Sequence, residues 1–162
     1  MKIDRMDQRL LMALHRDASA SQRELAERIG LSQNALWRRL KRLESEGIIK
    51  GSRPRIDLAR LGLDLTVFAM IRTRHHSLDW AERFLDHVAR IPEVVEMHRI
   101  GGDWDYMLKI VTRGMAGYDL VYRRLTTGTE LETITGYFSM ETMLEDRLPD
   151  LDSTTPQGAA SR

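Results

Sequence analysis

The sequence predicts an α+β protein built in two parts, three helices followed by strands and helices in βαββαβ order. Two observations predict it. Apolar residues recur at helical spacing through residue 47 and then alternate in short runs from residue 65 on. The charge divides in the same region: residues 1 to 60 hold 14 Lys/Arg against 8 Asp/Glu, residues 61 to 162 hold 11 against 16. The chain of 162 residues has room for one large domain or two small ones, and the absence of Cys excludes disulfides and thiolate metal sites. No apolar run is long enough to span a membrane and the start MKIDRMDQRL has no signal-peptide pattern, so a cytoplasmic protein is expected.

The first helix is read from Ile3, Met6, Leu10 and Leu14, which recur at helical spacing, with Asp4 a possible cap. The second opens at Ser21 with Glu24 three residues on, the capping-box pattern, and buries Leu25 and Ile29. After a tight turn at residues 30 to 32 comes LSQNALWRRLKRLESEG. There Leu36, Leu40 and Leu43 share one face, and Asn34, Arg38 and Arg42 point away from it. Ser32 serves as N-cap and Gly47 ends the helix. A short helix, a glycine-containing turn and a second helix with a polar outer face make a helix-turn-helix. IIKGSRPRID then reads as two short strands with a turn, a wing carrying Lys50, Arg53 and Arg55. Trp37 is expected to pack between helix and wing.

Residues 1 to 57 therefore form a winged helix-turn-helix domain, and residues 58 to 64 a linker. LTVFAMIRT is rich in strand formers. LDWAERFLDHVARI aligns Trp80, Phe84, Val88 and Ile91 on one helical side and stops at Pro92. VVEMHRI and YMLKIVT alternate as strands around the loop GGDWD. MAGYDLVYRRL is a helix expected to turn Met115, Tyr118, Val121, Tyr122 and Leu125 inward, and ETITGYFSMET is the last strand. This is the ferredoxin-like βαββαβ order over residues 65 to 151, an antiparallel sheet with both helices on one face. Nothing in the chain covers the other face, so a homodimer is expected. The small, polar segment 152 to 162 is expected to be a disordered tail.

The order of these parts resembles the Lrp/AsnC family of transcription regulators, named for the leucine-responsive regulatory protein. The resemblance is carried by the N-terminal helices through EGII, the PEVVE strand start, GGDWDYMLKIV and the closing strand through LPDL, about residues 2 to 151. It implies dimers through the C-terminal sheets, often tetramers or octamers, and an amino-acid effector held at dimer–dimer contacts beside the glycine loop. Carried onto this chain, Gly101, Gly102, Asp103, Trp104 and Asp105 become effector-site candidates, with Thr135 and Tyr137 facing the neighbouring pocket. Two positions depart from the family pattern. Tyr137 stands where small hydroxyl residues are commoner, and Ala35 where Pro is common.

For DNA, Ser32, Gln33, Asn34 and Arg38 sit at the helix start, where recognition helices enter the major groove and Asn and Arg read base edges. Arg39, Lys41, Arg42, Arg53 and Arg55 are expected at phosphates. The alternative is a solvated charged surface with Ser32 only a cap. For the loop, two glycines free backbone N–H groups for a carboxylate and an aspartate can accept from an α-amino group. On residues alone, a tight turn using Gly and Asp for conformation is the favoured reading; the resemblance reverses that preference in favour of the effector. His75 and His76 suggest a metal, but neighbours at a strand end point apart, so a loop or interface role is preferred. No phosphate-binding glycine loop, nucleophile motif or cofactor motif is present, so no cofactor and no enzyme is expected. These observations lead to a sequence-specific regulator that binds double-stranded DNA as an oligomer and responds to an amino-acid effector. An architectural DNA-wrapping protein without effector is the second reading.

Overall fold

A computed structural model describes residues 3 to 149 and residue 151. The expected disordered tail at 152 to 162 lies outside the described residues. The chain divides into two compact units, residues up to Pro54 together with the segment from Leu144, and Arg55–Met143.

In the first unit, helices α1 (Arg5–Arg16), α2 (Gln22–Ile29) and α3 (Gln33–Ser45) follow in order. Each begins where a short polar side chain satisfies free N–H groups. Asp4 and Asp7 form a capping box on α1, Ser21 and Glu24 another on α2, and Ser32 accepts from Ala35 N at α3. Helix α2 closes through Gly30 (φ +75°), with Leu31 N–H donating to the Ala26 carbonyl, and only three residues separate it from α3. Leu10, Leu25, Ala26, Ile29, Leu36, Leu40 and Leu43 make the core, with Ile3, Leu14, Ile48 and Ile49 packed against it.

The two wing strands expected after Gly47 do not form. Ile48 and Ile49 spend their N–H groups on the Leu43 carbonyl at the end of α3, and Pro54 has none to offer a ladder. Residues 50 to 60 are exposed. Trp37 has no strand to pack under and is 50% exposed, contrary to its expected place between helix and wing.

In the second unit, a short 3-10 turn (Ala59–Leu61) leads into β1 (Leu65–Arg72), α4 (Leu78–Ala89), β2 (Val94–Arg99), β3 (Tyr106–Thr112), α5 (Gly114–Thr126) and β4 (Thr133–Phe138). The antiparallel sheet has the order β2-β3-β1-β4. One face places Val67, Ala69, Ile71, Leu108 and Ile110 against Phe84 and Val88 of α4 and Val121 and Leu125 of α5. Gly136 belongs to that face: an added Cβ would stand 2.4 Å from the Tyr118 hydroxyl, so the end of the Tyr118 ring lies over the glycine and would have to shift for a side chain. The inward stripe of α5 is narrower than expected. Tyr118, Val121 and Leu125 carry it, whereas Met115 in the first turn and Tyr122 on the flank are exposed. The opposite face, with Phe68, Met70, Met107, Lys109, Thr135 and Tyr137, has no element of this unit over it. Among the described residues no helix is long and apolar enough to cross a membrane.

Candidate nucleic-acid interface and effector loop

The outer side of α3 follows from its inner side. Leu36, Leu40 and Leu43 are buried, and a helix turns about 100° per residue, so Asn34 and Arg38 stand opposite them. Gln33, Asn34 and Arg38 are exposed, and among the described residues Arg38 makes no ion pair. The Ser32 hydroxyl is engaged as cap, 3.3 Å from Ala35 N. Lys41 is exposed and pairs with Glu44 at 2.8 Å. Arg53 and Arg55 lie on the exposed segment after α3.

Arg39 and Arg42, expected at phosphates, are not free here: both are paired with acids at the start of α1. Arg39 lies only roughly 60° around the helix from Leu36, at the border of the apolar stripe. Its Nη1 donates to Asp4 Oδ2 and to Asp7 Oδ1, each at 2.7 Å, and Arg42 Nη2 donates to Asp7 Oδ2. The Asp7 side chain is fully buried, whereas those of Arg39 and Arg42 remain 28% and 38% exposed. Burial alone pushes the Asp7 carboxyl up. Hydrogen bonds from Arg42, the Asp4 backbone and Arg39 outweigh it and hold Asp7 below the usual carboxylate range. Asp4 is lowered, chiefly by Arg39, and both guanidiniums are raised by their carboxylates. Sequence reasoning passed over this cluster, although one signal was present: Asp7 lies on the stripe of Ile3, Leu10 and Leu14, where an acid needs a cation.

The loop from Gly101 to Asp105 joins β2 to β3 and is tied to the end of β1. Asp105 N donates to the Ile71 carbonyl at 2.9 Å, and Asp105 Oδ2 accepts from Thr73 N at 2.8 Å. Arg72 Nε donates to the Asp103 carbonyl at 2.8 Å, and its guanidinium lies 5.1 Å from the Trp104 ring centre. Gly102 adopts φ +108°, which side chains rarely accept, and a Cβ there would meet nothing within 4 Å. The glycine is needed for conformation rather than space. Asp103 is exposed, whereas Asp105 spends its carboxylate on the loop's own frame, with His76 Nδ1 at 3.8 Å. The Asp105 carboxylate is thus committed to holding the loop. Arg72 and Thr73, which sequence reasoning left out, hold this loop; strand alternation puts Arg72 on the face away from the helices.

Thr135 and Tyr137 lie on β4, opposite Met70 and Phe68 of β1. Phe68 is four residues from Arg72, about 13 Å along a strand, so one chain does not bring Tyr137 to the loop. His75 sits 2.8 Å from Glu130 and stacks on Trp80. No group of three or more potential metal ligands occurs among the described residues. In a groove beside α4, lined among others by Trp80, Arg83, His87 and Glu130, three side chains are engaged within the unit: Arg83 pairs with Asp79, His87 Nε2 contacts the Arg124 carbonyl and Glu130 meets His75.

Comparison with known proteins agrees with both halves. Residues 3–50 match the winged helix-turn-helix DNA-binding domain and residues 66–149 the Lrp/AsnC ligand binding domain. The chain is 40% identical over 154 residues to the glutamate uptake regulatory protein of Zymomonas mobilis, covering 95% of this chain and 94% of that one. Among solved structures it resembles an AsnC family transcriptional regulator from Agrobacterium tumefaciens, with 35% identity, a TM-score of 0.89, and coverage of 94% and 100% of the two chains. It also resembles a transcriptional regulator of Neisseria meningitidis solved with L-methionine, with 26% identity, a TM-score of 0.83, and coverage of 89% and 94%. A capped, outward-facing helix after a glycine turn, joined to this sheet domain and to these relatives, makes the chain a member of the Lrp/AsnC family of DNA-binding transcription regulators, and not an enzyme.

Proposed function

We propose that this regulator reads a specific DNA sequence with the first half of α3 and that its oligomeric DNA binding responds to an amino acid held at the Gly101–Asp105 loop. The observation that carries the DNA half is the free, outward display of Gln33, Asn34 and Arg38 beside the Ser32 cap. Asn suits adenine and Arg suits guanine in the major groove, while Lys41, Arg53 and Arg55 add sequence-independent attraction to phosphates. Arg39 and Arg42, engaged with Asp7, are left out of this set.

The effector half rests on the loop. Backbone N–H groups around Gly101 and Gly102 suit a carboxylate, the exposed Asp103 suits an ammonium group, and Trp104 bounds the space for a side chain. Asp105 contributes by holding the loop to Thr73. Thr135 and Tyr137 join the site from a neighbouring subunit, and the uncovered sheet face with Phe68, Met70 and Met107 pairs two chains into a dimer that builds tetramers or octamers. Trp104 and Tyr137 are both large, so a small or polar amino acid fits better than leucine. The glutamate-linked name of one relative and the L-methionine of another support an amino acid without fixing which.

Anisotropy titration of duplex DNA tests the DNA half. The protein selects a preferred site from random duplexes, and Arg38→Ala loses about 1–3 kcal/mol on that site and relaxes base preference. Equal binding of both DNAs by parent and variant would leave the architectural reading instead. A thermal-shift panel of amino acids tests the effector half.

A further inference from the structure

The cluster joining α1 to α3 has a consequence for DNA binding beyond holding two helices together. Arg39 and Arg42 are two of the four cations between Arg38 and Arg42, so on charge alone they would be expected to grip phosphate. Both are met instead by carboxylate oxygens at the distances a phosphate oxygen would take, 2.7 Å for each Arg39 contact. Asp7 gives one oxygen to each arginine, and its Oδ2 also accepts from Asp4 N at 3.1 Å. Two carboxylates face two guanidiniums, so the cluster is neutral. The two arginine side chains nevertheless stay 28% and 38% exposed to solvent. Cations that remain this exposed and sit beside the helix's outer side are in reach of a competing anion.

Nonspecific DNA binding is set by the number of phosphates a protein neutralises, whereas base preference is set by side chains in the groove. A carboxylate pair that occupies two arginines therefore lowers affinity for every sequence alike and leaves Arg38 and Asn34 to discriminate. We propose that Asp4 and Asp7 act as an internal stand-in for phosphate, withholding Arg39 and Arg42 from the DNA backbone and so raising sequence preference. They are positioning residues, and the inference rests on the reading of α3 as the DNA-contacting helix.

The test is the salt dependence of binding to random-sequence duplex, measured on the full chain. Each phosphate contact contributes a slope of about −0.9 in log K against log salt, roughly a threefold change in affinity over a fourfold change in salt. Arg42→Gln, in this account, leaves that slope unchanged, because Arg42 contacts no phosphate in the parent. A slope shallower by about one unit in Arg42→Gln would overturn the proposal. Asp7→Asn removes the charge that holds Arg42 and one of the two that hold Arg39, which keeps Asp4 at 2.7 Å. Its slope steepens by about one unit, random duplex binds several-fold tighter at low salt, and the preference for the selected site falls. A folded Asp7→Asn protein with the parent's slope, or with weaker random binding, would also overturn it. If Asp7→Asn does not fold, Arg42→Gln decides. Failure of the DNA reading looks different: the parent binds no duplex, or Arg38→Ala binds as the parent does.

Discussion

The two units hold their functional parts in place by different means. In the N-terminal unit, α3 is seated on leucines at its back but is also tied from the side by Asp4 and Asp7, through charge. In the C-terminal unit, the glycine loop is fixed mostly through backbone groups. Asp105 N reaches the Ile71 carbonyl, Thr73 N reaches Asp105, and an aromatic and aliphatic core lies behind the sheet. The difference teaches where charge is useful. A helix that must present cations outward can be held by acids without adding apolar surface, at the cost of sensitivity to acid. A loop that must leave its N–H groups and one carboxylate available is held instead by hydrogen bonds in which at least one partner is backbone, at the end of the neighbouring strand.

The largest expected effect separates the two cores. Phe84 is 2% exposed and packs between Trp80 (5.0 Å) and Tyr106 (5.3 Å), so Phe84→Ala should cost the C-terminal unit about 3–5 kcal/mol. Calorimetry should show that loss in the sheet unit's transition. Helix α3 would keep its DNA affinity in protein held below the melting range, and a matching loss in the helical unit would break the comparison.

Next in size is the charge cluster. Asp7→Ala leaves Arg42 without its carboxylate and Arg39 with Asp4 alone, and should cost about 2–4 kcal/mol, reduced from the fully buried case because water reaches both arginines. Its pH dependence follows from the direction of the shift. The folded Asp7 carboxyl lies below its ordinary value of 3.8, so the unfolded chain binds the proton more readily. The stabilisation is complete above about pH 5 and is lost as pH falls through the depressed value. Denaturant melts between pH 2 and 6 should show the helical unit weakening in acid and Asp7→Ala removing part of that slope. An unchanged slope in the variant would detach Asp7 from it.

The smallest effect is at the cap. Ser32→Ala removes the acceptor for Ala35 N and should cost about 1 kcal/mol, while Ser32→Asn should cost little. If Ser32→Ala instead loses DNA affinity with no loss of stability, Ser32 contacts DNA rather than merely starting the helix.

Much of this architecture is legible in residue spacing. The caps at Asp4, Ser21 and Ser32, the stripe Leu36, Leu40, Leu43 and the side Trp80, Phe84, Val88, Ile91 each announce a helix, and strand alternation places Gly136 and Thr135 on opposite faces. The wing failed because β-branched Ile48 and Ile49 invite a strand reading, whereas their N–H groups complete the end of α3. Arg39 and Arg42 failed because a local wheel shows which way a side chain leaves its helix, not which acid on another helix it meets. At the loop, Asp105's part in holding the backbone was not legible, because Thr73, which engages it, is about thirty residues away in the chain.

Two distinct sites on two units do two jobs, reading DNA and holding the effector, and one paired measurement addresses both. Parent, Arg38→Ala and Asp103→Ala are each titrated with the selected duplex and, by calorimetry, with whichever amino acid shifts the parent's melting. The account predicts a crossover: Arg38→Ala loses about 1–3 kcal/mol on DNA and keeps the amino acid, whereas Asp103→Ala loses the amino acid and keeps DNA binding in its absence. If Asp103→Ala binds the amino acid as the parent does, or Arg38→Ala binds the selected duplex unchanged, the assignment of that site is contradicted.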